Sequence, residues 1–310
     1  MKIKELAQKE SKLASGHLTC TGCGIPLIVR TVLKSIDTPV ITVVATGCLE
    51  VTTTIFPQTA WKVPFIHSAF ENAAATAAGI DAAINNLEKT DQLEGEKPTI
   101  VAFAGDGGTY DIGLQSLSGA LERGHNFLYI CYDNEAYMNT GVQRSSATPL
   151  GAWTTTSETG TKQLGKNIHK KNITRIVAAH QIPYVAQATI SHLEDLSAKV
   201  EKALNYKGPK FINVLQPCVP GWKIQPSQTI NVARLAVETR FWPLYEIEKG
   251  KLNLNVEVDD PKPIEEFLQV QGRFKHLFKP EKQEKVISKL QENVDKEWER
   301  LKKKEKIDSD

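Results

Sequence analysis

Apolar runs alternate with amphipathic segments along most of this chain. Four runs are rich in β-branched and aromatic residues and carry little polarity, as expected of parallel strands buried on both faces. They are residues 40–45, 98–104, 127–132 and 210–215. Segments 26–34 and 111–123 have apolar positions near helical spacing. The alternation predicts an α/β fold, with a mostly parallel sheet and helices on both faces.

Weaker patterns predict the remaining elements. Helices are expected at residues 65–83, 172–180, 191–205 and 228–240, and a short strand at 184–187. A β-hairpin is expected around Lys249-Gly250-Lys251. Residues 263–310 read as two charged helices, the last with one apolar stripe that would lie on a partner. We therefore divide the chain into a main domain, residues 1–240, and a C-terminal hairpin and helical arm, residues 241–310.

The run at 98–104 leads into the sequence GDGG, which begins at Gly105. Glycines at Gly105 and Gly107 permit a sharp turn and leave the backbone amides accessible to a polyanion. The next strand ends at Asp133-Asn134, so Asp106 and Asn134 are expected side by side at the carboxyl edge of the sheet. Such oxygens suit Mg²⁺ holding a phosphate. An ordinary βαβ unit with a polar turn is the other interpretation.

The five cysteines form a second pattern. Cys131 lies inside an apolar strand and is assigned to the core. Cys20 and Cys23 form a CxxC turn before a helix, which by itself fits a redox pair, a zinc site or an iron-sulfur site. Cys48 and Cys218 each follow a buried strand. The spacing favours an iron-sulfur cluster over structural zinc, and zinc stays open as the alternative.

Composition excludes few functions. The chain has 310 residues, 41% of them hydrophobic, and a formal net charge of +2, which indicates neither a nucleic-acid nor a membrane partner. The lysine-rich beginning does not resemble a signal peptide, and no apolar run is long enough to span a bilayer. We expect a soluble cytoplasmic protein, and in a reducing cytoplasm clustered thiols favour a metal over disulfides.

Three further features have open interpretations. His67, expected near a helix start, could face a cofactor or be a structural histidine. The long polar loop 139–162 should be ordered by Tyr137, Arg144 and Trp153. A basic run follows it and is most often a solvated face, with docking of a ferredoxin or of coenzyme A phosphates as the alternative. The run comprises Lys162, Lys166, Lys170, Lys171 and Arg175.

The motif GDG followed one βαβ unit later by Asp-Asn resembles the thiamine diphosphate fingerprint. With NEAYMNTGVQRSSATP after it, the chain resembles the β subunits of the pyruvate:ferredoxin oxidoreductase family, and so implies a thiamine diphosphate-binding fold. The resemblance implies Mg²⁺ ligands at Asp106, Asn134 and the Ala136 carbonyl, and a catalytic Asn139 beside the cofactor. Gly47, Cys48, Gly105 and Gly107 would line the cofactor site. The [4Fe-4S] ligands would be Cys20, Cys23, Cys48 and Cys218.

The resemblance also implies an activity. Pyruvate would be oxidatively decarboxylated to acetyl-CoA and CO₂ while ferredoxin is reduced. An α-type subunit, with the acid that activates the cofactor, and smaller γ and δ ferredoxin-like subunits would be partners. Two alternatives stay open: the same chemistry on oxalate or on a branched-chain, aryl or 2-oxoglutarate substrate, and a zinc-stapled assembly subunit without enzymatic activity.

Overall fold

The structure is a computed structural model that describes residues 2–160 and 162–309. Thr161, within the predicted loop 139–162, lies outside the described residues. The strands are β1 (Val40–Ala45), β2 (Phe65–Ser68), β3 (Thr99–Gly105), β4 (Leu128–Asp133), β5 (Tyr184–Thr189), β6 (Lys210–Leu215), β7 (Tyr245–Glu248) and β8 (Lys251–Leu254).

The helices surround this sheet. They are α1 (Ile3–Gln8), α2 (Ile25–Lys34), α3 (Cys48–Thr53), α4 (Ala73–Lys89), α5 (Leu114–Glu122), α6 (Ile173–Ala178), α7 (Leu193–Leu204), α8 (Val219–Trp222), α9 (Thr229–Glu238), α10 (Ile264–Gln269) and α11 (Glu284–Ser309). A π-helical turn spans Gly107–Asp111, and 3₁₀ turns span Pro226–Gln228 and Gly272–Leu277.

Within the described residues the strands form one sheet, in the order β2-β1-β3-β4-β6-β5-β7-β8. The first six of these are parallel to one another, β7 is antiparallel to β5, and β8 is antiparallel to β7. From β1 the chain crosses to β2 on one side, whereas from β3 it crosses to β4 on the other. The carboxyl ends of β1 and β3 therefore flank a topological switch point, where open α/β sheets form a crevice.

Both faces of the sheet are buried, because side chains of each strand point alternately to opposite faces. In β3, Ile100, Ala102 and Ala104 pack on the face covered by α4, α5 and α6. Val101 and Phe103 pack on the opposite face with α2 and α7. The predicted α/β fold with helices on both faces is thus confirmed.

The largest error in the predicted elements is at residues 65–83. The structure has strand β2 at Phe65–Ser68 and begins helix α4 only at Ala73. The prediction of one helix was wrong because the alanine-rich composition of α4 was extended backwards over an edge strand. His67 accordingly lies on a strand rather than at a helix start.

The C-terminal segment packs on its own chain. The predicted hairpin is confirmed as β7 and β8, which extend the sheet beyond β5. The apolar stripe of α11, which includes Leu290, Val294 and Trp298, is buried within the chain. The expectation that this stripe lies on a partner was therefore wrong. The division of the chain at residue 240 stays a prediction.

The end of α11 also contacts strand β8 through its carboxylates. The backbone N–H of Leu252 donates to Asp308 Oδ2 at 2.8 Å, and that of Leu254 donates to Glu305 Oε1 at 2.7 Å. These amides face away from β7, so the helix supplies the acceptors that a further strand would supply.

Among the described residues, no helix is both long enough and apolar enough to cross a membrane.

One buried cation of the sheet gives a prediction about pH. Lys210 begins β6, is 4% exposed, and donates to Asn126 Oδ1 at 2.7 Å. Burial lowers the pKa of Lys210 from 10.5 to about 8. Between those two pH values the unfolded chain binds more protons than the folded chain, so the contribution of Lys210 to stability rises with pH.

In Lys210→Met this contribution is absent. The free energy of unfolding of the variant minus that of wild type should therefore fall as the pH rises from about 8 to about 10.5. Urea unfolding at several pH values measures it, with the exposed Lys207→Met as the control. A difference independent of pH would contradict the prediction.

Candidate functional site

A pocket occupies the crevice at the carboxyl ends of β1, β3 and β4. It brings together all the residues predicted to bind the cofactor: Gly47, Cys48, Gly105, Asp106, Gly107, Asn134, Ala136 and Asn139. Asp106 and Asn134 are buried, at 1% and 3% exposure, whereas Asn139 is exposed at the mouth. Residues from three separate parts of the chain thus meet at the predicted edge of the sheet.

Three oxygen-bearing groups converge inside this pocket. The side-chain oxygen of Asn134 faces only acceptors, and it occupies a position 2.9 Å from both the Ala136 carbonyl oxygen and Asp106 Oδ1. If the amide is reversed, its NH₂ donates to both. Adjacent ligands of octahedral Mg²⁺, bound at roughly 2.1 Å, are separated by about 3 Å. The two distances from the Asn134 amide therefore match the spacing of adjacent magnesium ligands.

Asp106 is in an environment that opposes its ionisation. Burial, together with the nearby Asp133 carboxylate, raises the pKa of Asp106 well above its usual value. Ser145 donates to Asp106 Oδ2 at 2.5 Å, and the backbone N–H of Asn134 donates to Oδ1 at 3.3 Å. A cation bound against Oδ1 would favour the carboxylate form while Ser145 holds the other oxygen.

The glycines of the pocket make room for aromatic side chains. A Cβ at Gly107 would overlap the ring of Tyr137, and one at Gly105 would lie 3.1 Å from the ring of Tyr132. The motif glycines were predicted to leave the backbone open to a polyanion. Their packing against tyrosine is an additional reason for glycine that the sequence did not indicate.

The carboxylates on either side of Asn134 belong to a buried ionic network. Lys170 donates to Asp133 Oδ2 at 2.7 Å and to Glu135 Oε1 at 2.9 Å. Arg273 donates to Glu135 Oε2 at 2.6 Å. Burial alone would raise the pKa of Glu135, but Lys170 and Arg273 hold it below its usual value. Burial would likewise lower the pKa of Lys170, but Asp133 and Glu135 raise it.

The basic run after the loop is only partly the predicted solvated face, because Lys162 and Arg175 are exposed whereas Lys166 is buried and Lys170 and Lys171 are half-buried. Lys166 is 3% exposed, and its ammonium group donates to the backbone carbonyls of Ser145, Ser146 and Thr148. Lys170 is held in the ionic network. These lysines tie the loop to the pocket, because the segment that Lys166 holds includes the Ser145 that contacts Asp106.

The loop itself is anchored largely as predicted. Tyr137 donates to Asp111 Oδ2 at 3.1 Å, and the Trp153 N–H donates to the carbonyl of Arg273 at 2.9 Å. The side chain of Arg144 is exposed, and its backbone N–H donates to Thr156 Oγ1 at 2.9 Å. Arg144 and Trp153 thus anchor the loop through their backbone N–H groups, and Tyr137 does so through its hydroxyl.

The four predicted cluster cysteines lie near one another. Burial, then the nearby Cys23 and Cys20, raise the pKa of Cys48 to about 12. Burial and the other three thiols raise the pKa of Cys218 to about 12 as well. In residues 2–160 and 162–309, no three or more His, Cys, Asp or Glu side chains are grouped closely enough to hold a metal ion. The thiols are therefore neighbours without forming a closed ligand set.

Each of these four cysteines lies in a tight turn or at the start of a helix. The CxxC turn is closed by the Cys23 N–H donating to the Cys20 carbonyl at 3.0 Å, and Gly22 within it has a φ of +78°. Thr229 on α9 donates to the Gly22 carbonyl at 2.8 Å. Cys48 begins α3, and Cys218 precedes α8. Cys131 is fully buried, which confirms its assignment to the core.

His67 reaches the site only indirectly. Its Nε2 lies 2.7 Å from Thr46 Oγ1, and its Nδ1 lies 3.7 Å from a carboxylate oxygen of Glu50. Thr46 lines the pocket, but His67 does not. The structure therefore favours the structural interpretation of this histidine.

Sequence reasoning missed several residues of the pocket wall. They are Thr46, Phe70, Tyr132, Tyr137, Met138 and Thr140. Most of these adjoin the predicted motifs, so proximity in sequence was an available signal. Phe70 lies between β2 and α4, and the prediction of one continuous helix there concealed it.

Comparison with known proteins agrees with the geometry. Residues 45–214 match the family model described as thiamine pyrophosphate enzyme, C-terminal TPP binding domain. The chain is 49% identical over 316 residues to pyruvate synthase subunit PorB of Thermotoga maritima, covering 99% of this chain and 98% of that protein. It is 52% identical over 288 residues to the subunit of that name from Methanocaldococcus jannaschii, covering 93% and 95%.

A relative with another name is almost as similar. Ketoisovalerate oxidoreductase subunit VorB of Pyrococcus abyssi is 47% identical over 297 residues, covering 95% of this chain and 93% of that protein. A solved structure, 2-oxoglutarate:ferredoxin oxidoreductase from Magnetococcus marinus, has a TM-score of 0.55 at 19% identity, covering 76% of this chain and 81% of that chain. This structural likeness supports the fold alone.

The matched domain defines the class of the fold as that of the thiamine diphosphate enzymes. The chain belongs to the family of β subunits of pyruvate:ferredoxin oxidoreductase and related 2-oxoacid oxidoreductases. The family resemblance inferred from the motifs is thereby confirmed.

Proposed function

We propose that this chain is the catalytic subunit that oxidatively decarboxylates pyruvate to acetyl-CoA and CO₂ and reduces ferredoxin. Thiamine diphosphate, Mg²⁺ and one [4Fe-4S] cluster would be its cofactors. The observation that carries the proposal is that one pocket is lined both by the converging oxygens of Asp106, Asn134 and Ala136 and by the thiol of Cys48. The names of the two pyruvate synthase subunits support pyruvate as the substrate.

The pocket residues fit a magnesium-bound diphosphate. Asp106, Asn134 and the Ala136 carbonyl would hold Mg²⁺, and the donor set of carboxylate, amide and carbonyl oxygens matches the preference of this ion. Gly47, Gly105 and Gly107 would line the cofactor with backbone. The raised pKa of Asp106 is consistent with a carboxylate whose cation partner comes from outside the chain.

The cysteines fit a cluster. Cys20, Cys23, Cys48 and Cys218 would be its ligands, and their mutual proximity supports this assignment. Burial raises the pKa values of Cys23, Cys48 and Cys218, so metal binding would have to accompany their deprotonation. Cys48 lines the cofactor pocket as well, which would place the cluster beside the reacting cofactor.

The remaining pocket residues orient and shield the substrate. When bound, the thiazolium ring supplies an electron sink for loss of CO₂, and a cluster supplies one-electron acceptance. Asn139, exposed at the mouth, can donate a hydrogen bond to the substrate or cofactor. Phe70, Tyr137 and Met138 line the pocket with apolar surface and so exclude water from it.

Partners complete the proposed enzyme. The relatives are named as subunits, which supports a multi-subunit enzyme. An α-type subunit would supply the acid that activates the cofactor, and smaller γ and δ subunits resembling ferredoxins would carry electrons onward. Ferredoxin would be the external acceptor, and coenzyme A would take the acyl group.

A second substrate class has specific support. The ketoisovalerate oxidoreductase subunit is 47% identical to this chain, close to the identity of the pyruvate synthase subunits. Branched-chain 2-oxoacids are therefore the alternative substrate for the same site and the same chemistry.

The deciding experiment is substrate-dependent reduction of ferredoxin by the enzyme complex purified without oxygen. Pyruvate with coenzyme A should reduce ferredoxin in one-electron steps and yield acetyl-CoA and CO₂. Ketoisovalerate provides the comparison. Reduction with ketoisovalerate but not with pyruvate would overturn the proposed substrate. Reduction with neither acid would overturn the proposed function.

The cluster assignment predicts the effect of one cysteine substitution. Cys218→Ser should lower the iron and acid-labile sulfide bound by this subunit, because one thiolate of the ligand set is lost. Binding of thiamine diphosphate with Mg²⁺ should persist, since Cys218 does not line the pocket. Cys131→Ala is the control and should keep its iron. One zinc and no labile sulfide in the wild-type subunit would contradict the cluster.

A further inference from the structure

Glu135 occupies a demanding position in the turn that carries the proposed magnesium ligands. It separates Asn134 from Ala136, is fully buried, and has a φ of +67°, in the left-handed region that favours glycine. Its backbone carbonyl accepts a hydrogen bond from Thr148 Oγ1 at 2.7 Å. A glutamate persists in such a conformation only where its surroundings fix it.

Arg273 is one of the groups that fix Glu135. It lies in the 3₁₀ turn Gly272–Leu277 of the C-terminal segment, far beyond the matched thiamine domain, and its side chain is 2% exposed. One guanidinium nitrogen donates to Glu135 Oε2 at 2.6 Å, and its Nε donates to Gln271 Oε1 at 2.8 Å. The buried cation is therefore held on both sides.

Arg273 also contacts the turn 134–136, which carries the proposed magnesium ligands, indirectly through Trp222. Its guanidinium stacks on the indole ring at 3.6 Å from the ring centroid. The Trp222 Nε1–H donates to the Asn134 carbonyl at 2.8 Å, and the Trp222 backbone N–H donates to the Cys218 carbonyl at 2.8 Å. Arg273 thus supports Asn134 through the stacked Trp222 ring, and it supports Glu135 through an ion pair with the Glu135 carboxylate.

We infer that Arg273 is a positioning residue for the magnesium site, so that the C-terminal segment forms part of the cofactor-binding machinery. The inference rests on the proposed function, because it assigns the oxygens of Asn134 and Ala136 to Mg²⁺. Groups that orient metal ligands are needed for full affinity, and their loss weakens metal binding about 10- to 100-fold. The planar guanidinium suits this position because it stacks and donates at the same time.

Affinity for Mg²⁺ at saturating thiamine diphosphate tests the inference, measured by titration calorimetry on the full chain purified with its associated subunits. Arg273→Met should raise the Kd for Mg²⁺ roughly tenfold or more. Arg273→Lys retains the charge but not the fork or the stacking, so it should recover part of the loss.

Lys199→Met controls for the removal of a buried cation. Lys199 is 2% exposed and pairs with Asp195 at 2.7 Å on α7, and it does not line the pocket. This variant should lose thermal stability yet bind Mg²⁺ as wild type does. A merely structural role for Arg273 would make the two methionine variants alike in Mg²⁺ binding.

The possible outcomes distinguish a failure of the role of Arg273 from a failure of the proposed function. Wild-type Mg²⁺ affinity in Arg273→Met, or an equal loss in Lys199→Met, would overturn the role of Arg273 while leaving the proposed function intact. If wild type itself binds no thiamine diphosphate with Mg²⁺, the proposed function fails and the inference fails with it. Should Arg273→Met not fold, Arg273→Lys decides: weaker Mg²⁺ binding supports the role, and unchanged binding overturns it.

Discussion

Replacing Asp106 with alanine should abolish Mg²⁺-dependent binding of thiamine diphosphate. The substitution removes the carboxylate from the three converging oxygens and leaves only the neutral Asn134 and Ala136 groups. A hard divalent cation depends on such a charge, so affinity should fall by at least about 100-fold. Burial and the neighbouring Asp133 carboxylate both disfavour a charged Asp106. Removing the Asp106 carboxylate should therefore cost the cofactor-free protein no favourable charge interaction.

Calorimetric titration of thiamine diphosphate with Mg²⁺ present measures this effect. Wild type should also show a rise in Tm that grows with cofactor concentration, and the variant should not. Asp111→Asn is the matched control, because Asp111 contacts Tyr137 and Ser146 but does not line the pocket. Undiminished binding by Asp106→Ala would show that the metal ligands lie elsewhere.

Of the substitutions proposed for this chain, Lys170→Met should lower the free energy of unfolding most. The substitution leaves the carboxylates of Asp133 and Glu135 buried, and only Arg273 remains as a cation paired with either. Removing one partner of a buried ion pair costs about 3–5 kcal/mol, a large part of a typical total stability of about 5–15 kcal/mol. The lysine side chain is half-buried, at 19% exposure, and both carboxylates are fully buried, so water screens these pairs only weakly.

Chemical unfolding followed by circular dichroism gives the free energies. Lys262→Met is the control, since Lys262 pairs with Glu238 at 2.9 Å while both remain partly exposed. Such surface pairs contribute at most about 1 kcal/mol. The double variant Asp133→Asn with Lys170→Met should recover part of the loss, because it removes one stranded charge. Equal losses in the two lysine variants would refute a special role for the network.

The sheet and its functional edge were accessible from the sequence because both depend on local signals. Residues 40–45 and 210–215 were predicted as strands with the observed bounds, since continuous β-branched runs bounded by turns have few alternatives. Once the strands are parallel, their carboxyl ends must meet at one edge. Consecutive strands of a βαβ unit usually lie next to each other, so Asp106 and Asn134 could be placed together at that edge.

The ionic network was not accessible in this way. Lys170 and Arg273 are 103 residues apart in the chain, and each pairs with a carboxylate beside Asn134 only because the loop and the C-terminal segment fold back onto the same turn. Periodicity describes neighbours within one element and carries no signal for such contacts. The same limit explains why lysines in a polar stretch were predicted to face solvent.

The cysteines lie between these two cases. Their positions at strand ends and a helix start allowed convergence to be predicted, and the structure does place the four thiols near one another. The identity of a bound metal depends on distances among the sulfur atoms and on the redox environment, which residue spacing does not encode. That part of the site stays a prediction for chemical analysis.

The carboxylates of α11 also protect the sheet from other chains. Strand β8 is the last in the sheet order, and an exposed last strand is a template for intermolecular pairing and aggregation. Asp308 and Glu305 occupy the amides that an incoming strand would need, and they place negative charge along that side. In a chain whose relatives are named as subunits, this arrangement closes one route to association with copies of itself.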